Sequence, residues 1–262
     1  MPNILEKIVA TKRQEIEQAK SQLPLSDLQE LAGAEDKPRQ FKAALRQRTQ
    51  QQLPAVIAEI KQASPSKGLL TNNFDPLKLA TDYSAAGASC ISVLTDVQYF
   101  RGDSAYIKQV KQVSKLPVLR KDFIIDTYQV YQSRHIGADA ILLIAAILDK
   151  RQLHEYNTLA QQLGLAVLVE VHNLAELQLA LELDGAIIGI NNRNLTTFAT
   201  DVQVTIDLLP HIPQDKVVVT ESGIHTRSQV ETFLAAGVYG FLVGESLVKA
   251  ANLTEKFNSL FN

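Results

Sequence analysis

One cysteine, Cys90, stands in this 262-residue chain, so no disulfide can form within it, a composition that fits a reducing cytoplasm. No apolar run approaches the ~18 residues of a membrane span. The longest, residues 138–148, is interrupted by Asp139 and reads as an inner strand with its loop. Aromatic residues make up only 6%, the formal net charge is −2, and no basic tract is present. Sequence-independent nucleic-acid binding is therefore not expected. The five histidines (His135, His154, His172, His211, His225) show no pair at ligand spacing, so no metal site is expected and each reads as an ordinary surface or core histidine. The opening residues lack the apolar block of a signal peptide. They read instead as an amphipathic helix striped by Ile4, Leu5, Ile8, Val9 and Ile16.

What is present is apolar material, 46% of the chain, arranged in a regular alternation. Residues up to about 48 read as helical, with breaks at Pro24 and Pro38. Strand-like runs then follow at 55–61, 89–95, 117–123, 139–145, 165–171, 186–191, 216–221 and 240–244. Between them lie helix-length amphipathic segments at 76–86, 104–113, 127–136, 150–163, 174–183, 202–209 and 226–236, and a last helix at 248–260 closes the chain. Gly87, Gly137 and Gly237 stand where a left-handed residue would stop a helix before the next strand. Strict strand–helix alternation implies a parallel sheet with helices outside. No Gly-x-Gly-x-x-Gly follows the first strand, which disfavours an open dinucleotide-binding sheet. The expectation is a single α/β domain over 1–262, a closed (β/α)8 TIM barrel at 54–262 with an N-terminal helical extension at 1–48 covering one barrel end. The Lys/Gln/Arg run at 37–52 reads as a solvated face, and Cys90 as a small buried hydrophobe.

In such a barrel the chemistry sits at the C-terminal strand ends. Side chains alternate along a strand, so Ile57, Glu59 and Lys61 share a face, as do Leu119, Lys121 and Phe123, with Arg120 and Asp122 opposite. Glu170 shares the face of Leu168, Asn191 that of Arg193, and Glu221 ends the seventh strand. One charged strand end would read as a structural ion pair; charged or amide groups at five ends on the same side call for another explanation. Two lysines and two carboxylates converging on a dry mouth suit general acid–base work. Either lysine could donate the proton, and a Schiff base on a lysine is a chemical alternative. Glu221-Ser222-Gly223 and Val243-Gly244-Glu245 place small residues just after the last two strands, the usual phosphate site of such barrels. Ser64 could add a hydroxyl, while Tyr99, Phe100 and Phe123 are expected to face the substrate, with a place in the core the alternative for Phe123.

These residues resemble the indole-3-glycerol-phosphate synthases. The motifs are Glu-Ile-Lys-x-x-Ser-Pro-Ser-Lys-Gly at 59–68, Ser-Val-Leu-Thr-Asp at 92–96, Tyr-Phe-x-Gly at 99–102 and Arg-Lys-Asp-Phe at 120–123. Val-Glu-Val-His at 169–172, Gly-Ile-Asn-Asn-Arg-Asn-Leu at 189–195, Glu-Ser-Gly-Ile at 221–224 and Val-Gly-Glu-Ser-Leu at 243–247 continue the series. The resemblance implies a cytoplasmic tryptophan-pathway carboxy-lyase acting without cofactor or metal on a phosphosugar–anthranilate, with no nucleic-acid or membrane partner; the sequence leaves the oligomeric state open, a monomer included. It implies Lys121 as general acid, Glu170 as acid–base partner in dehydration, Glu59 and Lys61 as the adjoining pair, and Asn191 and Arg193 as orienting groups. Glu221 would join the charge network. Ser64, Ser222, Gly223, Gly244 and Glu245 would hold the phosphate, and Phe100, Phe123 and Leu142 would wall the aromatic ring. Position 245 is often serine in that family; a glutamate there keeps its backbone N–H, with the carboxylate turned away. Two rivals remain at this level. One is a barrel that binds a phosphosugar without turning it over. The other is a phosphoribosylanthranilate isomerase, for which Cys90 is out of place.

Overall fold

The computed structural model describes residues 3–195 and 197–262. Helix α1 (Ile4–Gln22) starts at a capping box in which Asn3 and Glu6 satisfy each other's backbone N–H groups. Helices α2 (Leu25–Ala34) and α3 (Phe41–Thr49) follow the two proline breaks. Eight parallel strands come next: β1 (Ala55–Ile60), β2 (Cys90–Leu94), β3 (Val118–Lys121), β4 (Ala140–Ile144), β5 (Ala166–Val171), β6 (Ile187–Asn191), β7 (Val218–Glu221) and β8 (Gly240–Val243). Each pairs with its sequence neighbours, and β8 returns to β1 to close the barrel. The connecting helices are α4 (Pro76–Ala86), α5 (Val97–Phe100), α6 (Ala105–Val113), α7 (Thr127–His135), α8 (Lys150–Gln162), α9 (Leu174–Leu181), α10 (Gln203–Leu208) and α11 (Arg227–Ala235). Gly87, Gly137 and Gly237 sit at φ of 95°, 84° and 88°, the left-handed stop expected of them.

Three features differ from the sequence reading. The expected last helix is two helices, α12 (Glu245–Val248) and α13 (Leu253–Phe261), because Asn252 caps a new start. The loop after β1 carries a small antiparallel hairpin, Ala63–Ser64 with Gly68–Leu69. The run at 37–52 is not simply a solvated face: the Arg39 guanidinium donates to the carbonyls of Lys111, Ser114 and Leu116, and Arg48 donates to that of Pro54.

Inside the barrel, Ile57, Cys90, Leu119, Leu142, Leu168, Ile187, Val219 and Leu242 form one apolar cluster. Phe41 and Leu45 of α3 join it from below, beside Ala55, Ala140 and Val217 at the strand starts. Cys90 is buried there, its thiol directed at the Phe41 carbonyl. The extension therefore closes the N-terminal end with α3, while α1 runs to the opposite rim, where Lys12 pairs with Asp96 and Asp122. One expected cover is in fact two. Among the described residues no helix is long and apolar enough to cross a membrane.

Candidate active site

On β1, β3, β5, β6 and β7 the inward face is apolar deeper in the barrel and polar at the strand end. On β1, Ile57 lies in the core and Glu59 and Lys61 lie above it; on β3, Leu119 gives way to Lys121 and Phe123. Glu170, Asn191 and Glu221 end β5, β6 and β7 on the same side. One cavity at this end is lined by every site residue that the resemblance implied, from Glu59 on the first strand to Glu245 after the last.

At its centre Lys121 Nζ lies 2.8 Å from Glu170 Oε2 and 2.8 Å from Glu221 Oε2. Asn191 Nδ2 donates to Glu170 Oε1 at 3.0 Å, and Lys61 pairs with Glu59. Burial alone would lower the pKa of Lys121, but Glu170, Glu221 and Glu59 outweigh it and hold the ammonium charged well above its usual range. Burial pushes Glu170 up; Lys121 and His172 more than reverse this, so it stays ionised. Glu221 goes the other way: burial, with the charges of Glu170 and Glu59, leaves it raised despite Lys121. Two carboxylates around one lysine thus have their affinities for a proton set apart. Two glycines make the crowding feasible. A Cβ at Gly189 would stand 2.5 Å from Glu221 Oε1, and one at Gly244 would stand 2.5 Å from Glu59 Oε2. Gly244 thus makes room for Glu59, a role the phosphate-loop reading did not include.

An apolar wall flanks this charge cluster. Phe100 and Phe123 lie 5.9 Å apart between ring centres, with Leu142 beneath and Ile4, Leu5 and Ile8 of α1 completing the side. Tyr99, expected to face substrate, instead exchanges a hydroxyl hydrogen bond with Thr11 of α1. On the far side are Ser64, Ser66, Arg193, Ser222, Gly223 and Glu245. Ser222 and Gly223 adopt φ of 67° and 78°, and the Ser222 carbonyl is held by Asn192 Nδ2 at 3.1 Å. A left-handed serine is uncommon and is kept here by that bond. The Glu245 carboxylate turns to Lys249 at 2.8 Å, with Arg193 3.7 Å away. An acid–base centre between an apolar slot and an array of hydroxyl and small-residue loops can hold an aryl phosphosugar by both ends.

A family model described as indole-3-glycerol phosphate synthase matches residues 5–260. A protein of that name from Variovorax paradoxus is 52% identical over the full length of both chains. Another from Acidithiobacillus ferrooxidans is 50% identical over 100% of this chain and 99% of its own. The chain belongs to the indole-3-glycerol phosphate synthase family. Among solved structures, 3-hexulose-6-phosphate synthase from Salmonella typhimurium covers 79% of this chain and 96% of its own, at a TM-score of 0.62 and 15% identity. The tryptophan synthase complex of Pyrococcus furiosus yields a chain at TM-score 0.57 and 14% identity, covering 79% and 97%. These two share the fold. Indole-3-glycerol phosphate synthases are carboxy-lyases of tryptophan biosynthesis, and this membership places the chain among enzymes.

Reading the sequence missed several residues that shape this family site. Ile4, Leu5 and Ile8 form cavity wall; their helical spacing signalled a buried face but not which one. Lys12, among the charges of the first helix, is only 3% exposed and bridges Asp96 and Asp122. His172 was read as ordinary, yet its Nε2 lies 3.4 Å from Glu170 Oε1. The quoted Val-Glu-Val-His motif was the available signal for it.

Proposed function

We propose that the chain converts 1-(2-carboxyphenylamino)-1-deoxyribulose 5-phosphate to indole-3-glycerol phosphate, releasing carbon dioxide and water. One observation carries this reading: Lys121, gripped by two carboxylates, stands between the Phe100–Phe123 wall and the loops after β7 and β8. With the aryl ring on the wall and the phosphate against Ser64, Ser222, Gly223, Gly244 and Glu245, the ketone falls near the ammonium. Lys121 gives its proton to the ketone oxygen as the ring carbon bearing the carboxylate attacks the carbonyl carbon. The ketone becomes a hydroxyl. Lys61, paired with Glu59, faces the substrate carboxylate, and loss of carbon dioxide returns the ring to aromaticity. The hydroxyl then leaves as water and a proton is lost from the neighbouring carbon, the steps assigned to Glu170 as acid–base partner. Asn191 and Arg193 orient the substrate, and Glu221 tunes Lys121. A charge held in a water-poor site is worth more to such a transition state than the same charge in solution.

Every group named comes from one chain, with α1 as part of the site, so the reading is of a single-domain enzyme competent as a monomer. A lone, buried cysteine suits the cytoplasm. Mixing the protein with this substrate and following indole fluorescence tests the reading. A rise that saturates with substrate is expected; tight binding with no rise would replace the enzyme by a phosphosugar sensor.

A further inference from the structure

Behind Glu170 stands a histidine that the mechanism above leaves unused. His172 follows β5 by one residue and is largely buried, its side chain 14% exposed. Its position is fixed from the rear. Glu176 Oε2 accepts the His172 backbone N–H at 2.8 Å and lies 3.0 Å from Nδ1 of the ring. Glu176 is itself pinned at the start of α9: Asn173 Nδ2 donates to its other oxygen at 2.6 Å, and its own N–H bonds the Asn173 side chain. The ring's front nitrogen, Nε2, is buried and points at Glu170 Oε1 from 3.4 Å, with no closer hydrogen-bond partner among the described residues. Catalytic hydrogen bonds are often this long before substrate binds and tighten in the reacting complex.

The chain of groups is carboxylate, imidazole, carboxylate, the arrangement in which a third group orients a base through a histidine. We propose that His172, backed by Glu176, is a positioning residue for Glu170, fixing Oε1 and supplying a positive charge that stays beside it after Lys121 has given up its proton. The inference rests on Lys121 being that donor. Charge accounting explains the need. The charged groups around this pair are Lys121 from β3, Glu221 from β7 and Glu59 from β1, itself paired with Lys61, on the cavity side, and Glu176 from α9 behind. When Lys121 becomes neutral, His172 is the cation in contact with Glu170, and without it the carboxylate keeps no cation at contact distance among the described residues and rises in pKa. Burial would lower the affinity of His172 for its proton; Glu170 and Glu176 overcome this and push it up to about 10. Asn191 shares Oε1 but, being neutral, cannot replace that charge.

His172→Gln removes the charge while keeping a polar side chain. In the fluorescence assay kcat is expected to fall by about 10- to 100-fold, the cost of a misplaced group, with KM little changed. The acid limb of the kcat profile should move up by about one pH unit, since Glu170 without its cation keeps a proton to higher pH. Glu176→Gln should move the limb in the same direction by less. A histidine that only staples α9 to β5 would lower the melting temperature and leave the limb in place, so a folded His172→Gln with the parental kcat and profile overturns the proposal. Should that variant fail to fold, ring-nitrogen NMR of the unaltered protein decides: a doubly protonated His172 at pH 8 supports the charge role, and a neutral one removes it. Absence of indole formation by the unaltered protein would instead sink the assigned reaction, and the NMR result would still stand.

Discussion

At the residue scale, the site depends on one ammonium with more negative neighbours than it needs. Lys121 is flanked by Glu170 and Glu221 at contact distance. Burying any of the three alone would be costly; together they pay back in charge and hydrogen bonding. Lys121→Ala should lower turnover by at least ~100-fold, the lower range for losing a general acid, and steady-state kinetics reads this directly. The fold should persist, with an unchanged circular dichroism spectrum, because Glu221 already holds a proton more readily than an ordinary carboxylate and can neutralise itself. Parental turnover in the variant would take the donor role from Lys121. The lysine was legible from sequence because alternation along β3 placed it inward above Leu119. Its two-sided grip was not, since Glu170 and Glu221 come from strands far along the chain and only barrel closure sets their distances. Gly244 shows the same limit: its glycine character was visible, but the Glu59 carboxylate that requires it was not.

At the scale of elements, α1 is the least expected participant. Its apolar stripe predicts burial, yet nothing in the stripe says that Ile4, Leu5 and Ile8 cover the mouth rather than the floor. What decides it is Lys12, whose ammonium meets Asp96 at 2.8 Å and Asp122 at 3.1 Å. Those aspartates do further work in the rim loops. Asp96 caps α5, which presents Phe100, and Asp122 accepts from the Phe123 backbone N–H and the Thr95 hydroxyl. The clamp thus ties α1 to both aromatic residues of the wall. Lys12→Met leaves buried Asp96 without its cation and Asp122 with Arg120 alone, and should destabilise the protein by about 3–5 kcal/mol, measured by urea unfolding. KM should rise as the wall loosens. Acid should act on the same clamp. Burial raises Asp122, but Arg120 and Lys12 lower it further, to about 2. A depressed carboxylate stabilises the fold above its unfolded value of 3.8 and loses that contribution as pH falls through about 2. The drop in stability between those values should therefore be smaller in Lys12→Met than in the parent.

At the scale of the whole molecule, the barrel separates what holds it together from what it does. Eight strand–helix units were readable because alternation and glycine stops are local signals, and the closed order follows once each strand pairs with its sequence neighbours. The use of the two ends was readable only in part: the expected site residues do gather at one rim, but the floor plug and the helix over the mouth were not told apart. Phe41 and Leu45, at 1% and 0% exposure, seal the floor against the strand starts, while Lys121 stands at the other end of the same strand on which Leu119 is core. A cavity at the floor therefore costs stability without disturbing the charge cluster. Leu45→Ala should lower unfolding free energy by about 2–5 kcal/mol, the range for deleting a buried leucine side chain. At a temperature where the variant is fully folded, its kcat and KM should match the parent, because the apolar layer of Ile57, Leu119, Leu168 and Val219 lies between the cavity and the strand ends. Chemical denaturation and steady-state kinetics on one preparation check both halves. A kcat that falls with stability would mean the floor sets the spacing of Lys121, Glu170 and Glu221 through the whole length of the strands, and the division of labour between the ends would fail.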